Sequence, residues 1–236
     1  MRYKVADIVF DAQFIYEYSK RILIEYEYCG QDQPCFSFQF TDERVAQERK
    51  NAPDLPNDYL ESLALFRMIC DYALEQGDGI IFHSSAIMVD GNAYLFTAPS
   101  GTGKSTHARL WRELLGDRAK MVNDDKPIIR YVDGEFYVYG TPWRGKHGLG
   151  GNCRAKLKAI CHLYQNKENV IKKANVSAML GVILNQTMRP KEQETMDKLL
   201  GLISKMLQSV SIYSLGCNMQ LEAAKLSYTT MSGEEL

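Results

Sequence analysis

Residues 97–111 read "TAPSGTGKSTHARLW". A proline and two glycines stand between a strand-like apolar run, "NAYLF" (92–96), and a helical pattern. In that pattern Ala108, Trp111 and Leu115 share one face, and Gly116 ends it. Strand, glycine-rich loop and helix are the setting of a phosphate loop. Residues 98–105, "APSGTGKS", fit its spacing with Ala98 in place of the usual first glycine. Gly101 and Gly103 admit backbone conformations closed to other residues, so the amides of Ser100, Gly101, Thr102 and Gly103 can converge on phosphate oxygens. A helix starting near Lys104 adds the unpaired amides of Lys104, Ser105 and Thr106 and the positive end of its dipole. The Lys104 ammonium can reach β- and γ-phosphates, and the Ser105 hydroxyl can hold Mg²⁺. ATP with Mg²⁺ is the expected ligand. His107, one turn into the helix, reads as a packing residue rather than a catalyst.

Working outward, "IIFHSSAIMVDGNAYLFTA" (80–98) is two apolar runs joined by Asp90-Gly91, and "KPIIRYVDGEFYVYG" (126–140) turns at Asp133-Gly134. Both are hairpin signals. Hairpins on each side of the phosphate loop imply an α/β fold with a mixed, largely antiparallel sheet and flanking helices, unlike strictly alternating βαβ units. Further on, "LKAICHLY" (157–164) and "SIYSL" (211–215) read as strands. Helices are expected around Ser177–Gln186 and Glu192–Val210, and a last one that Asn218 would cap. Upstream, "YKVADIVF", "RILIEYEY" and "CFSFQF" read as strands of a small β-rich N-terminal part over 1–50. The polar run "TDERVAQERKNAPDLPND" (41–58), with Pro53 and Pro56, reads as a linker. "YLESLALFRMICDYALEQG" (59–77) sets Leu63, Phe66, Ile69, Cys70 and Ala73 at helical spacing, with Gly77 as its cap. The catalytic domain is expected over 57–236.

The 236 residues are 45% hydrophobic and 24% charged, enough to build a core, and the formal net charge is −1. That balance gives no general attraction to nucleic acid or anionic lipid. No apolar run approaches the roughly 18 residues of a membrane span. Asp7 and Asp11 interrupt the N-terminal stretch where a signal peptide is apolar, so a cytoplasmic location is expected. The six cysteines include no C-x-x-C pair and read as buried thiols of a reducing compartment. The four histidines do not join them in a zinc pattern, and His162, beside Cys161, reads as a packing residue.

A nucleotide site also needs acidic groups for the metal and a base for transfer to a hydroxyl. "MVNDDKPII" (121–129) supplies Asp124 and Asp125 at the expected start of a strand. Adjacent carboxylates repel, and placing one on Mg²⁺ and the other toward an acceptor relieves the conflict. An Asp-Asp pair is also the composition of an ordinary solvated turn. A third segment, "GTPWRGKHGLGGN" (140–152), carries Arg144, Lys146 and His147 among glycines. It reads either as a cationic loop facing transferring phosphoryl oxygens or as a long turn with Trp143 pinned in the core.

His83, the hairpin, "SGTGKST", "VNDDKPII" and an Arg-Gly loop, in that order, resemble the catalytic domain of HPr kinase/phosphorylase over roughly Gly79 to Gly151. That family shares its phosphate-loop fold with the ATP-dependent phosphoenolpyruvate carboxykinases. The resemblance is greatest to small bacterial HPr-kinase-like proteins, some of them linked to phosphorylation of ribosomal peptide precursors. It implies that Lys104 grips the phosphates, Ser105 the Mg²⁺, and Asp124 the metal or its water. Asp125 would take the acceptor's proton, His83 would line the reaction centre on a strand, and Arg144 would be the catalytic arginine. Pro142 stands where the family has a metal-binding glutamate, so further metal ligation falls to the Asp pair. Thr106 replaces the glutamate after the loop's Lys-Ser. The expectation is a cytoplasmic, Mg²⁺- and ATP-dependent kinase acting on serine of a protein or peptide partner, with room for a homo-oligomer. A small-molecule hydroxyl acceptor and a catalytically silent nucleotide-binding module are the alternatives.

Overall fold

The computed structural model describes residues 1–236. It opens with a hairpin, β1 (Arg2–Val5) and β2 (Ile8–Gln13), whose turn residues Ala6 and Asp7 both have positive φ, 51° and 61°. "RILIEYEY", expected as a strand, is instead the end of helix α1 (Glu17–Leu23) and a 3₁₀ turn, Ile24–Tyr26. The fully buried residues of this helix and turn, Ser19, Leu23 and Tyr26, are spaced by four and three, a helical stripe that the alternating aromatic and charged residues hide. β3 (Phe36–Gln39) adds parallel to β2.

The polar run expected as a linker contains a second helix, α2 (Asp42–Asn51). Thr41 accepts from the Arg44 amide, Asp42 and Glu43 occupy the first turn, and Arg49 and Lys50 the last, so charge complements the dipole at both ends. Its only buried residue is Glu48, paired with Arg67, which is why no apolar periodicity announced it. α3 (Asn57–Glu75) follows, and Gly77 at φ 73° stops it.

β4 (Gly79–Ile81), β5 (Ser85–Val89) and β6 (Asn92–Thr97) come next. The first run of the expected hairpin is thus broken in two, and His83 lies in the break rather than on a strand. Asp90-Gly91 and Asp133-Gly134 make the two tight turns, all four residues at positive φ. The rest of the chain runs α4 (Lys104–Leu115), β7 (Ala119–Asn123), β8 (Ile128–Val132), β9 (Glu135–Tyr139) and β10 (Arg154–Gln165). It ends with β11 (Val170–Lys173), α5 (Val176–Asn185), α6 (Gln193–Ser209), β12 (Ser211–Cys217) and α7 (Leu221–Ser232).

β4 to β12 form one nine-stranded mixed sheet in which β4-β8-β9-β10-β6-β5-β7 are successive neighbours. Only β10 with β6 and β10 with β12 pair parallel; the other pairings are antiparallel. β10 is long enough to pair with β9 through residues 154–156 and with β12 through 159–165. Side chains alternate along β6: Leu95 enters the core under α5 and α6, while Tyr94 and Phe96 enter the core under α4 and α7. A third core joins β1–β3, α1 and α3 to Ile81, Ile128 and Tyr139 of the large sheet and to Trp143 in the loop after β9. The stretches 1–50 and 57–236 thus share apolar contact through this core. No helix is long and apolar enough to cross a membrane.

Candidate functional site

β6 ends at Thr97, and its successor Ala98 is fully buried beneath α4. The loop then turns through Gly101 (φ 79°) and Gly103 (φ 122°), values that side chains strain to adopt. A Cβ at either glycine would meet nothing within 4 Å, so the glycines serve backbone direction and the space above them is open. Thr102 closes the turn by donating its amide to the Pro99 carbonyl at 3.3 Å, whereas the Gly101 and Gly103 amides find no acceptor in the chain. α4 begins at Lys104, and Gly103 at its N-cap position supplies no side-chain cap. Lys104 is buried, and Nζ makes a single hydrogen bond, 2.9 Å to the Ala98 carbonyl. Burial pushes its pKa down, and Asp125 opposes that shift. A buried ammonium with one partner, beside free amides and an uncapped helix start, is a seat built for an anion.

Asp124 and Asp125 sit in the turn between β7 and β8, not at a strand start as expected. The turn is fixed from beneath by Asn123, which is fully buried. Its Oδ1 accepts from the Asp125 and Lys126 amides at 2.8 and 2.7 Å, and its Nδ2 donates to Thr141 O and Oγ1. Each carboxylate then has its own task. Asp124, buried, accepts from the Gly145 amide through Oδ1 at 2.6 Å, and its Oδ2 has no partner in the chain. Asp125 Oδ1 lies 3.0 Å from His83 Nε2, and Oδ2 lies 3.2 Å from Lys126 Nζ. Burial works to raise the Asp125 carboxyl, but the His83 hydrogen bond and the Lys126 charge outweigh it and hold the group below the usual carboxylate range.

The break in the strand places His83. Its amide donates to Gln186 at 2.8 Å, and the next amide, Ser84, donates to the Asp125 carbonyl at 3.1 Å. The Thr97 hydroxyl at the end of β6 donates to the His83 carbonyl. His83 and Asp125 are thereby locked beside the phosphate loop.

These groups surround one cavity of about 620 Å³, within the range of small-molecule sites. Its walls include His83, Ser100, Gly101, Gly103, Lys104, Ser105, Thr106, Asp124 and Asp125, and no apolar side chain. Thr102, also expected at the site, is not among the residues that line it. Arg144 is not in the wall: its Nη2 donates to Glu25 Oε2 at 2.5 Å, and it lines a neighbouring cleft with α1. Trp143, four residues after the buried end of β9, packs on Phe66 with ring centroids 4.7 Å apart and anchors the chain next to Arg144. Arg109, Lys146 and His147 line the cavity instead. Of these, only Arg109 lacked a signal in the sequence, since it lies on the polar face of α4. Asn123 had none either, because nothing local shows that an Asn at the end of a strand is buried.

No group of three or more His, Cys, Asp and Glu side chains is gathered as a metal centre. Mg²⁺ bound with a nucleotide needs fewer protein ligands, taking one or two carboxylates plus phosphate oxygens and waters. The Ser105 hydroxyl and the free oxygen of Asp124 in one polar cavity fit that requirement.

No protein-family model matches the chain, and no curated protein matches it. Among solved structures the chain is similar to the Hpr(Ser) kinase/phosphatase from Coxiella burnetii, at 10% identity and a TM-score of 0.35, covering 65% of this chain and 99% of that one.

Proposed function

We propose that this protein is a Mg²⁺- and ATP-dependent kinase that transfers the γ-phosphoryl group to a hydroxyl, with serine of a protein or peptide as the acceptor. The observation that carries the reading is the shared cavity. An ionised carboxylate, Asp125, faces the same space as the buried ammonium of Lys104 and the open amides of the phosphate loop. Lys104 and the Gly101 and Gly103 amides take the negative charge of the phosphate tail, and replacing water by fixed donors favours the charge that spreads during transfer. Mg²⁺, held through Ser105 and Asp124, supplies further neutralisation of the β- and γ-phosphates when bound. Asp125 receives the acceptor's hydroxyl proton, and His83 fixes the orientation of that carboxylate. With no apolar wall for a base to lie on, the donor is held chiefly by its phosphates.

Calorimetry with Mg·ATP, followed by transfer of labelled γ-phosphate to serine peptide pools and to metabolite pools, tests this. Wild-type protein is expected to bind Mg·ATP and to label peptides. Asp125→Asn is expected to lower transfer by roughly 10²–10⁴-fold, the range of a lost general base, while Mg·ATP affinity stays within a few-fold. Labelling confined to metabolites would move the acceptor class. Binding without any transfer would leave a silent nucleotide module, and no binding would remove the reading altogether.

A further inference from the structure

We propose that Lys146 reads the terminal phosphate of a bound nucleoside triphosphate, so that the site prefers triphosphate to diphosphate. The inference rests on the nucleotide reading and adds to it the residue that tells the two ligands apart. Lys146 and His147 are the central residues of a tight turn that Gly148 closes by donating its amide to the Gly145 carbonyl at 2.9 Å. The turn is fastened at both ends. At one end the buried Asp124 carboxylate accepts the Gly145 amide at 2.6 Å, a close approach that a side chain would crowd, since a Cβ there would lie 3.2 Å from Asp124 Oδ2. At the other end Gly150, at φ 135°, pairs with Asn123 in an antiparallel bridge, and a Cβ there would lie 2.6 Å from the Val122 carbonyl.

Both fastenings are to residues 123–124, beside Asp125, so the turn hangs over the reacting end of the cavity. Lys146 is exposed and lines the cavity. It has no acidic partner, while the other exposed cation of the wall, Arg109, is taken by Glu113. Arg144, one residue before the hinge at Gly145, is held on Glu25 outside the wall. The free ammonium that faces this space from across the phosphate loop is therefore that of Lys146. Lys104 approaches from the loop side, and a terminal phosphate between them gains a donor from each.

Calorimetric titration of the full chain with Mg·ATP and with Mg·ADP is the test. Lys146→Gln is expected to weaken Mg·ATP binding about tenfold, the loss of one charge-assisted contact, and to change Mg·ADP binding less than about twofold. Lys146→Arg keeps the preference. An unchanged thermal midpoint shows that the exposed turn still folds. Equal losses for the two nucleotides, or no loss, would overturn the proposal, as would disappearance of the ATP preference in Arg144→Gln while Lys146→Gln retains it. A wild-type protein that binds neither nucleotide would instead overturn the nucleotide reading itself, so the two failures are distinguishable.

Discussion

Lys104 is folded into the protein against its own solvation. Burial lowers its pKa, and one carbonyl, that of Ala98, is its only hydrogen-bond partner. Such a residue lowers the stability of the free protein and is useful when an anion arrives. Lys104→Met, which keeps the chain length and removes the charge, is expected to leave the thermal midpoint equal or higher while weakening Mg·ATP binding by at least about thirtyfold. A lower midpoint together with intact binding would show the lysine to be structural. The Asp pair makes the same point about environment. The two carboxylates are adjacent in sequence, yet one is tied to a backbone amide and the other to an imidazole and an ammonium. Asn123 sets that difference by holding the turn, and a reader of the sequence sees only three polar residues in a row.

Among the elements, α4 decides where the phosphate loop points, and α7 decides where α4 lies. Ser227 of α7 donates to its own helix at Ala224 and accepts from Trp111 Nε1 at 2.8 Å. With its one proton spent, its remaining lone pair must take the Nε2–H of His107, 2.9 Å away, which leaves His107 Nδ1 bare. Phe96 closes the site edge-on to the imidazole. Desolvation pushes the His107 pKa down to about 4 from 6.5. The folded state therefore resists a proton that the unfolded state accepts, so stability is full above the unfolded value and is lost as pH falls from about 6.5 toward 4. That component amounts to on the order of 3 kcal/mol across the interval. Unfolding free energies from urea titration at pH 7 and pH 4 are expected to differ less in His107→Leu than in wild type by about this amount, and equal differences would show that His107 titrates normally. The sequence marked His107 as a packing residue, marked α3 and α4 by their apolar stripes and placed helices where α5 and α6 lie. It could not mark α2, whose helix is held by its cap, its terminal charges and the pairing of Glu48 with Arg67.

Across the whole molecule, the N-terminal sheet covers apolar surface of the large sheet and α3 rather than standing apart. Phe10, Leu23, Tyr26 and Phe38 share a core with Ile81, Ile128, Tyr139 and Trp143. The joint is also polar. Glu61 of α3, fully buried, accepts from the amides of Ile15 and Tyr16 at 2.7 and 3.3 Å and so receives the chain at the start of α1. Arg130 donates to the Ala6 carbonyl at 2.8 Å and pairs with Asp78. Glu61→Ala leaves two part-buried amides without their acceptor and is expected to cost roughly 1–3 kcal/mol by urea unfolding, with Glu61→Gln costing less because an amide oxygen still accepts. Independent unfolding of the N-terminal part in Glu61→Ala, with the remainder's midpoint unchanged, would show the two parts to be separable. The same joint carries Glu25 to Arg144, and so the N-terminal part decides which cation of the 140–152 segment faces the cavity.

The sequence by itself determined the phosphate loop, the two hairpins beside it and hence the mixed sheet. Each of these depends on residues within a few positions of one another: glycines that permit a backbone angle, a strand before, a helix start after. The tertiary structure alone decided which side chains face the cavity. That outcome hangs on contacts between distant parts of the chain, such as Glu25 with Arg144 and Asp124 with Gly145, whose strength depends on burial and mutual distance. No local pattern encodes a partner more than a hundred residues away, because the free energy of such a contact exists only once the core has brought the two ends together.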